Sequence, residues 1–152
     1  MKRKLKYDLH THTSYSDGDL NISGNVENAI KLGLDGIAIT DHDNIDGWEE
    51  IDNKSYKIDV IKGVELSTYY KGDSVHILGY YLNDNGDYSE LDEFLKNTRE
   101  ARLVRVKKII ELLKQYDINV TYEEILEKAD GAFARPHIVK EKKKKYPERG
   151  YT

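Results

Sequence analysis

The sequence predicts an α/β fold, with strands concentrated in its first half and helices in its second. Three patterns carry that reading. Leu5 to Thr13 alternates with the period of a strand, the segment after Ser23 has helical spacing, and Ile37-Ala38-Ile39-Thr40 is a short continuous apolar run of the kind a buried parallel strand shows. Together they spell a βαβ unit. A chain of 152 residues is long enough for one domain with one core and short for two.

In the first strand Leu5, Tyr7, Leu9 and Thr11 share one face and Lys6, Asp8, His10 and His12 the other, so both histidines point the same way. Ser14 to Gly18 reads as a polar loop. Ser23 then caps a helix with Val26, Ala29 and Ile30 on one face, ended by Gly33. Asp35-Gly36 turns the chain into the second strand, and Asn44 to Ile51 reads as a short helix. Ile58 to Leu66 is a third strand, and Val75 to Leu82 returns from a turn at residues 69–73 as a fourth, forming a hairpin. From Ser89 to about Tyr116, Leu91, Phe94, Leu95, Ala101, Val106, Ile109, Ile110 and Leu113 recur at the spacing of one long helix. Thr121-Tyr122-Glu123-Glu124 is a capping box, and Pro136 suits the first turn of a last helix.

Composition narrows the chemistry. With no cysteine, disulfides, thiolate metal sites and cysteine nucleophiles are excluded together, so a metal would have to be held by His and carboxylate. No apolar stretch is long enough to span a membrane, and the basic start lacks a signal peptide's apolar core, so a cytoplasmic protein is expected. The net charge of −4 gives no global attraction to nucleic acid. Basic residues crowd the second half. The lysines from Lys142 to Lys145 read as a solvated helix end, and Arg99, Arg102 and Arg105 as one solvated face of the long helix. The tyrosines, Tyr69, Tyr70, Tyr80 and Tyr81 among them, read as strand packing.

Metal-ligand residue types fall where strands end. His10 and His12 close the first strand, Asp17 lies in the next loop, Asp41-His42-Asp43 follows the second, Glu65 sits in the third, and His76 opens the fourth. In parallel α/β architectures the strands' C-terminal ends share the rim on which active sites are built, and the hairpin would bring His76 back to Glu65. Each residue alone has an ordinary structural role. The joint pattern is different, because four of the five histidines belong to it and the acidic groups beside them would repel one another if gathered without cations.

The stretch from Asp8 to Gly18 (Asp8-Leu9-His10-Thr11-His12 and onward), Ile39-Thr40-Asp41-His42-Asp43 and Gly63-Val64-Glu65-Leu66-Ser67 resemble the three opening motifs of PHP (polymerase and histidinol phosphatase) domains. Val75-His76-Ile77-Leu78-Gly79-Tyr80 and Ala134-Arg135-Pro136-His137-Ile138 resemble stretches of the small PHP phosphoesterases. The resemblance implies part of a distorted (β/α)7 barrel, with residues 1–86 as its N-terminal portion and 87–152 as a helical insertion subdomain. It implies two or three divalent ions, manganese, zinc or iron. His10, His12 and Glu65 would hold one ion, with Glu65 bridging to another, Asp17 and His42 would serve a second, and His76 would join Glu65 at a third. Those six residues would be the catalytic set as well, with Asp8, Asp41 and Asp43 orienting imidazoles behind them. Arg135 is the candidate grip on a phosphate, since a guanidinium offers paired donors just before a helix start. His137 reads as a phosphate contact, a leaving-group acid or a polar helix residue.

The implied activity is metal-dependent hydrolysis of a small phosphorylated metabolite, a nucleotide or an oligonucleotide end. The alternative is a non-catalytic module that binds metal or a partner chain. A PHP barrel is expected to need about 250 residues, as other α/β barrels do, and members of the family supply a further Asp-x-His near the chain end that nothing after His137 provides. The expectation is therefore a gene fragment, a truncated product or a chain that completes itself with a partner. Four strands leave an open edge, which self-association across the open barrel side would cover, unless the helices close it within a monomer.

Overall fold

A computed structural model describes residues 3–82, 86–126 and 135–148, with the side chains of residues 126 and 135–137 outside that description. The elements run β1 (Tyr7–Thr11), α1 (Ile22–Lys31), β2 (Gly36–Ile39), α2 (Trp48–Asp52), β3 (Asp59–Tyr70), β4 (Asp73–Tyr81), α3 (Ser89–Lys114), α4 (Tyr122–Leu126) and α5 (Arg135–Lys145). The fold is mixed α/β, as the pattern of strands and helices requires. Its four-stranded sheet has the order β1-β2-β3-β4, parallel across β1, β2 and β3 and antiparallel in the hairpin.

β2 is buried along its whole length, which is why it reads as an uninterrupted apolar run. Ile37 and Ile39 pack with Ile22, Val26 and Ala29 of α1. The cap of α1 is Asn21, whose side chain accepts from the Gly24 N–H at 2.9 Å, and not Ser23, which lies inside the helix. α2 begins only at Trp48. Asn44 accepts the Asp46 N–H at 2.9 Å and holds the preceding residues in a local turn that competes with helix. β3 continues past Leu66 to Tyr70, and the hairpin closes through Lys71 and Gly72, both at positive φ, as a two-residue turn of the right hand requires.

β1 is an edge strand and its apolar positions are not covered among the described residues: Tyr7 and Leu9 are exposed, as is Leu5 before the strand. The sheet is nevertheless curled, bringing the Tyr80 hydroxyl on the opposite edge strand within 2.7 Å of the Leu9 carbonyl, to which it donates. Tyr80 therefore links the two edge strands, while Tyr81 alone of the four tyrosines packs as expected, against Trp48 and Tyr88; Tyr69 and Tyr70 are exposed.

Helix α3 serves two cores. Near its start Leu91 and Leu95 pack with Ile45, Trp48 and Val64 over the sheet. Near its end Val106 and Ile110 join Ile118, Val120, Ile125 and Ile138 in a helical core. Phe94 and Ala101, read as part of its apolar stripe, are exposed, and Leu103 packs in the second core instead. The capping box of α4 forms as expected, with Thr121 N–H donating to Glu124 at 2.9 Å and Glu124 N–H to the Thr121 hydroxyl at 3.3 Å.

Candidate metal centre

The period of β1 delivers His10 and His12 to one side, and the loop after it is then tied down by a buried carboxylate. Asp41 accepts the Thr13 N–H and the Thr13 hydroxyl, each at 2.7 Å, and the Ser16 hydroxyl at 2.5 Å. Asn25 donates to the His12 carbonyl and Asn44 to the Tyr15 carbonyl, both at 2.7 Å. Gly18 completes the bend, since a Cβ there would lie 2.4 Å from the His12 carbonyl oxygen. These bonds aim Asp17 back toward the histidines.

β3 outruns β2, and its extra length pairs with the chain leaving β2. Glu65 N–H donates to the Asp41 carbonyl at 3.1 Å and Asp43 N–H to the Glu65 carbonyl at 3.0 Å, so His42 and Glu65 sit side by side. On the hairpin, Glu65 pairs with Leu78 and Ser67 with His76, which puts His76 diagonally across from Glu65 on one face. Thus His10, His12, Asp17, His42, Glu65 and His76 converge.

Glu65 is the hub. Its Oε2 lies 3.0 Å from Nε2 of both His10 and His12 and 3.3 Å from Nδ1 of His42, while Oε1 lies 2.6 Å from Nδ1 of His76. The two ring nitrogens of His10 and His12 are 3.1 Å apart. Asp17 lies 3.5 Å from His12 and 3.7 Å from His42. Three groups have donor atoms close enough to share an ion: His10, His12 and Glu65; His12, Asp17 and His42; and His42, Glu65 and His76. Donors about 2.0–2.2 Å from one ion stand roughly 3–3.5 Å from each other, the range seen at Glu65 Oε2. The partition differs from the expected one only in that His12 and His42 each belong to two groups.

Burial pushes the His42 imidazole below its ordinary value of 6.5, with His12 and Arg102 adding to the effect against the pull of Asp17 and Glu65. Burial would raise Glu65, but hydrogen bonds from His10 and His76 and the proximity of His42 and His12 hold it below 4.5. His42 is thus neutral and Glu65 anionic near pH 7, the forms that donate electron pairs. His42 Nδ1 is also buried without a hydrogen bond. A lone pair stranded beside a carboxylate fits a cation between them.

The three aspartates expected to orient imidazoles do other things. Asp8 accepts the backbone N–H of His10 at 3.1 Å, a short-range turn contact. Asp41 reaches His12 only through Ser16, whose hydroxyl is 3.4 Å from the ring. Asp43 binds the Ser67 N–H at 2.7 Å and Arg102 at 2.5 Å. Arg99 and Arg102 are correspondingly not a solvated face: both turn in to the loop after His42. The side chains of Arg135 and His137 lie outside the described residues. Asn25, Asn44, Thr13 and Ser16 escaped the sequence reading, because their acceptors are set by loop geometry.

A protein-family model of the PHP domain matches residues 8–148. The chain belongs to the PHP domain family. Among relatives of this PHP domain, a 5′-3′ exoribonuclease of Haemophilus influenzae is 34% identical over 137 residues, covering 89% of this chain and 49% of that protein. A 3′,5′-nucleoside bisphosphate phosphatase of Chromobacterium violaceum is 33% identical over 104 residues, 67% of this chain and 36% of that one. A crystal structure from Bifidobacterium adolescentis, assigned as a metal-dependent phosphoesterase, superposes with a TM-score of 0.82 at 31% identity, covering 97% of this PHP chain and 52% of the other. The chain spans about half the length of the first of these relatives.

Proposed function

We propose that this PHP domain holds two or three divalent cations, manganese, zinc or iron, and serves the hydrolysis of a phosphoester in a nucleotide, another small phosphorylated molecule or an oligonucleotide end. The observation that carries it is the convergence of His10, His12, Asp17, His42, Glu65 and His76, with a buried, unbonded His42 Nδ1 among them. Similarity to an exoribonuclease over most of the chain favours a nucleic-acid end as substrate.

Cations bound there would neutralise phosphate oxygens and lower the pKa of water, the two services that phosphoester hydrolysis at neutral pH needs. The chain's own residues do the rest. Glu65 turns one oxygen to His10, His12 and His42 and the other to His76, so it would be shared by the cations. His12, Asp17 and His42 form the deeper group, and Asp41 holds their loop rigid from behind. His10 is 49% and His76 39% exposed in their side chains, so a phosphate would reach the group from their side. α5 carries Arg135 and His137, the proposed phosphate contacts. Support for its approach comes from Lys140, which pairs at 2.8 Å with Asp19, two residues past Asp17.

Elemental analysis of the purified chain, with turnover assays on a 5′-phosphorylated oligoribonucleotide and a nucleoside bisphosphate, tests this. Bound manganese, zinc or iron with turnover is expected. Metal with no turnover on any phosphoester would favour the non-catalytic alternative, and failure to take up added metal would overturn the proposal.

A further inference from the structure

Helix α3 reaches the metal centre through a contact that no ligand pattern accounts for. Asp43, the residue after His42, adopts φ +46° although it is not glycine, and its side chain is 1% exposed. One carboxylate oxygen accepts the Ser67 N–H at 2.7 Å, and the other faces the Arg102 guanidinium at 2.5 Å. The same guanidinium nitrogen donates to the Ser67 hydroxyl. One turn earlier on the helix, Arg99 donates to the Asp43 carbonyl at 2.8 Å. Ser67 in turn is two residues from Glu65 and pairs in the hairpin with His76.

We infer that Arg102 is a positioning residue of the metal centre, clamping Asp43 and Ser67 together and so fixing His42 against Glu65 and His76. The Ser67 N–H serves one oxygen of this buried carboxylate and Arg102 is the cation facing the other, so without Arg102 the left-handed turn at Asp43 keeps a buried charge with no counterion. Ser67 and Asp43 lie on two different segments, each within two residues of a proposed ligand. A single guanidinium reaching both reinforces the direct Ser67–Asp43 bond at 2.7 Å. Lysine is not equivalent, because its ammonium is more strongly hydrated and sits on a more flexible stem than the planar guanidinium whose one nitrogen here meets both acceptors. The sequence carries the signal in retrospect: Arg99 and Arg102 are three residues apart on one helical face, and only the fold shows that this face meets the His42 loop.

The inference rests on the metal-centre reading, and manganese titration of the full chain separates the two. Calorimetric affinity and the electron paramagnetic resonance spectrum of bound Mn²⁺ are measured for the wild type, Arg102→Lys and Ser67→Ala, with circular dichroism confirming the fold of each. Wild-type binding, weakened about tenfold in Arg102→Lys with an altered spectrum and in the same direction in Ser67→Ala, is the expected result. If Arg102→Lys does not fold, Ser67→Ala alone decides. Wild-type affinity and spectrum in every folded variant would overturn the role of Arg102 and leave the metal centre standing. So would an unchanged affinity joined to a raised KM for phosphoester, since that would make Arg102 a substrate contact. A wild type that binds no Mn²⁺ would sink both.

Discussion

Asp41 is 2% exposed and satisfies three donors of the loop that carries Asp17, so its removal strands all three. Asp41→Ala is expected to cost about 3 kcal/mol of stability, or roughly 6–12 °C in Tm for a domain of this size, and to weaken Mn²⁺ binding about tenfold. Thermal melts and calorimetry measure the two effects on one sample. For His42 the sign follows from burial: its folded pKa lies below 6.5, so below pH 6.5 the unfolded chain binds more protons than the folded one. The stability contributed by neutral His42 is complete above 6.5 and is lost as pH falls toward the folded value. Melts of metal-stripped protein at pH 7.5, 6.5 and 5.5 should therefore fall in that order, and His42→Asn should flatten the slope; a slope unchanged by the substitution would refute the assignment. All six proposed ligands were legible in the sequence, because His and carboxylate at strand ends have few other reasons to gather. The partners of Asp8, Asp41 and Asp43 were not, since a carboxylate binds whatever donors the surrounding loops turn toward it.

At the scale of elements, local chemistry was legible where both partners are close in sequence. The capping box at Thr121 and Glu124 is such a case, and Lys145 of α5 adds a 2.5 Å ion pair to the same Glu124. Thr121→Ala should cost about 1 kcal/mol by denaturant unfolding and leave Mn²⁺ affinity unchanged, because its core lies at the other end of α3 from the ligands. An affinity change would mean that the helical core and the sheet are more tightly linked than their packing indicates. The readings that failed were those that depended on a distant surface. Phe94 has the right spacing to be buried but faces outward, and the arginines of α3 looked solvated because their acceptors at Asp43 and Ser67 are 35–59 residues away. Asn21 and Ser23 are both acceptable caps, and the choice fell to where α1 had to begin in order to bury Ile22.

For the molecule as a whole, the proposed ligands come from β1, from the chain leaving β2, and from β3 and β4, so bound cations would cross-link all four strands of a sheet whose edge β1 is otherwise thinly held. Linkage then makes metal a folding ligand: at a free concentration about 100 times Kd it adds roughly 2.7 kcal/mol, or about 5–11 °C in Tm. Where that stabilisation appears depends on how α3 joins the two cores. Leu95, Arg99 and Arg102 bind the helix to the sheet and the His42 loop, whereas Val106 and Ile110 belong to a separate core with α4 and α5. Hydrogen exchange with and without Mn²⁺ should accordingly show slowed exchange over residues 7–17, 40–44, 62–78 and 95–102, and little change over 118–126 and 138–146. Equal protection throughout would mean that α3 transmits the constraint along its full length and that the two cores unfold as one. Protection confined to the strands would mean that the arginines of α3 rest on the site without holding it.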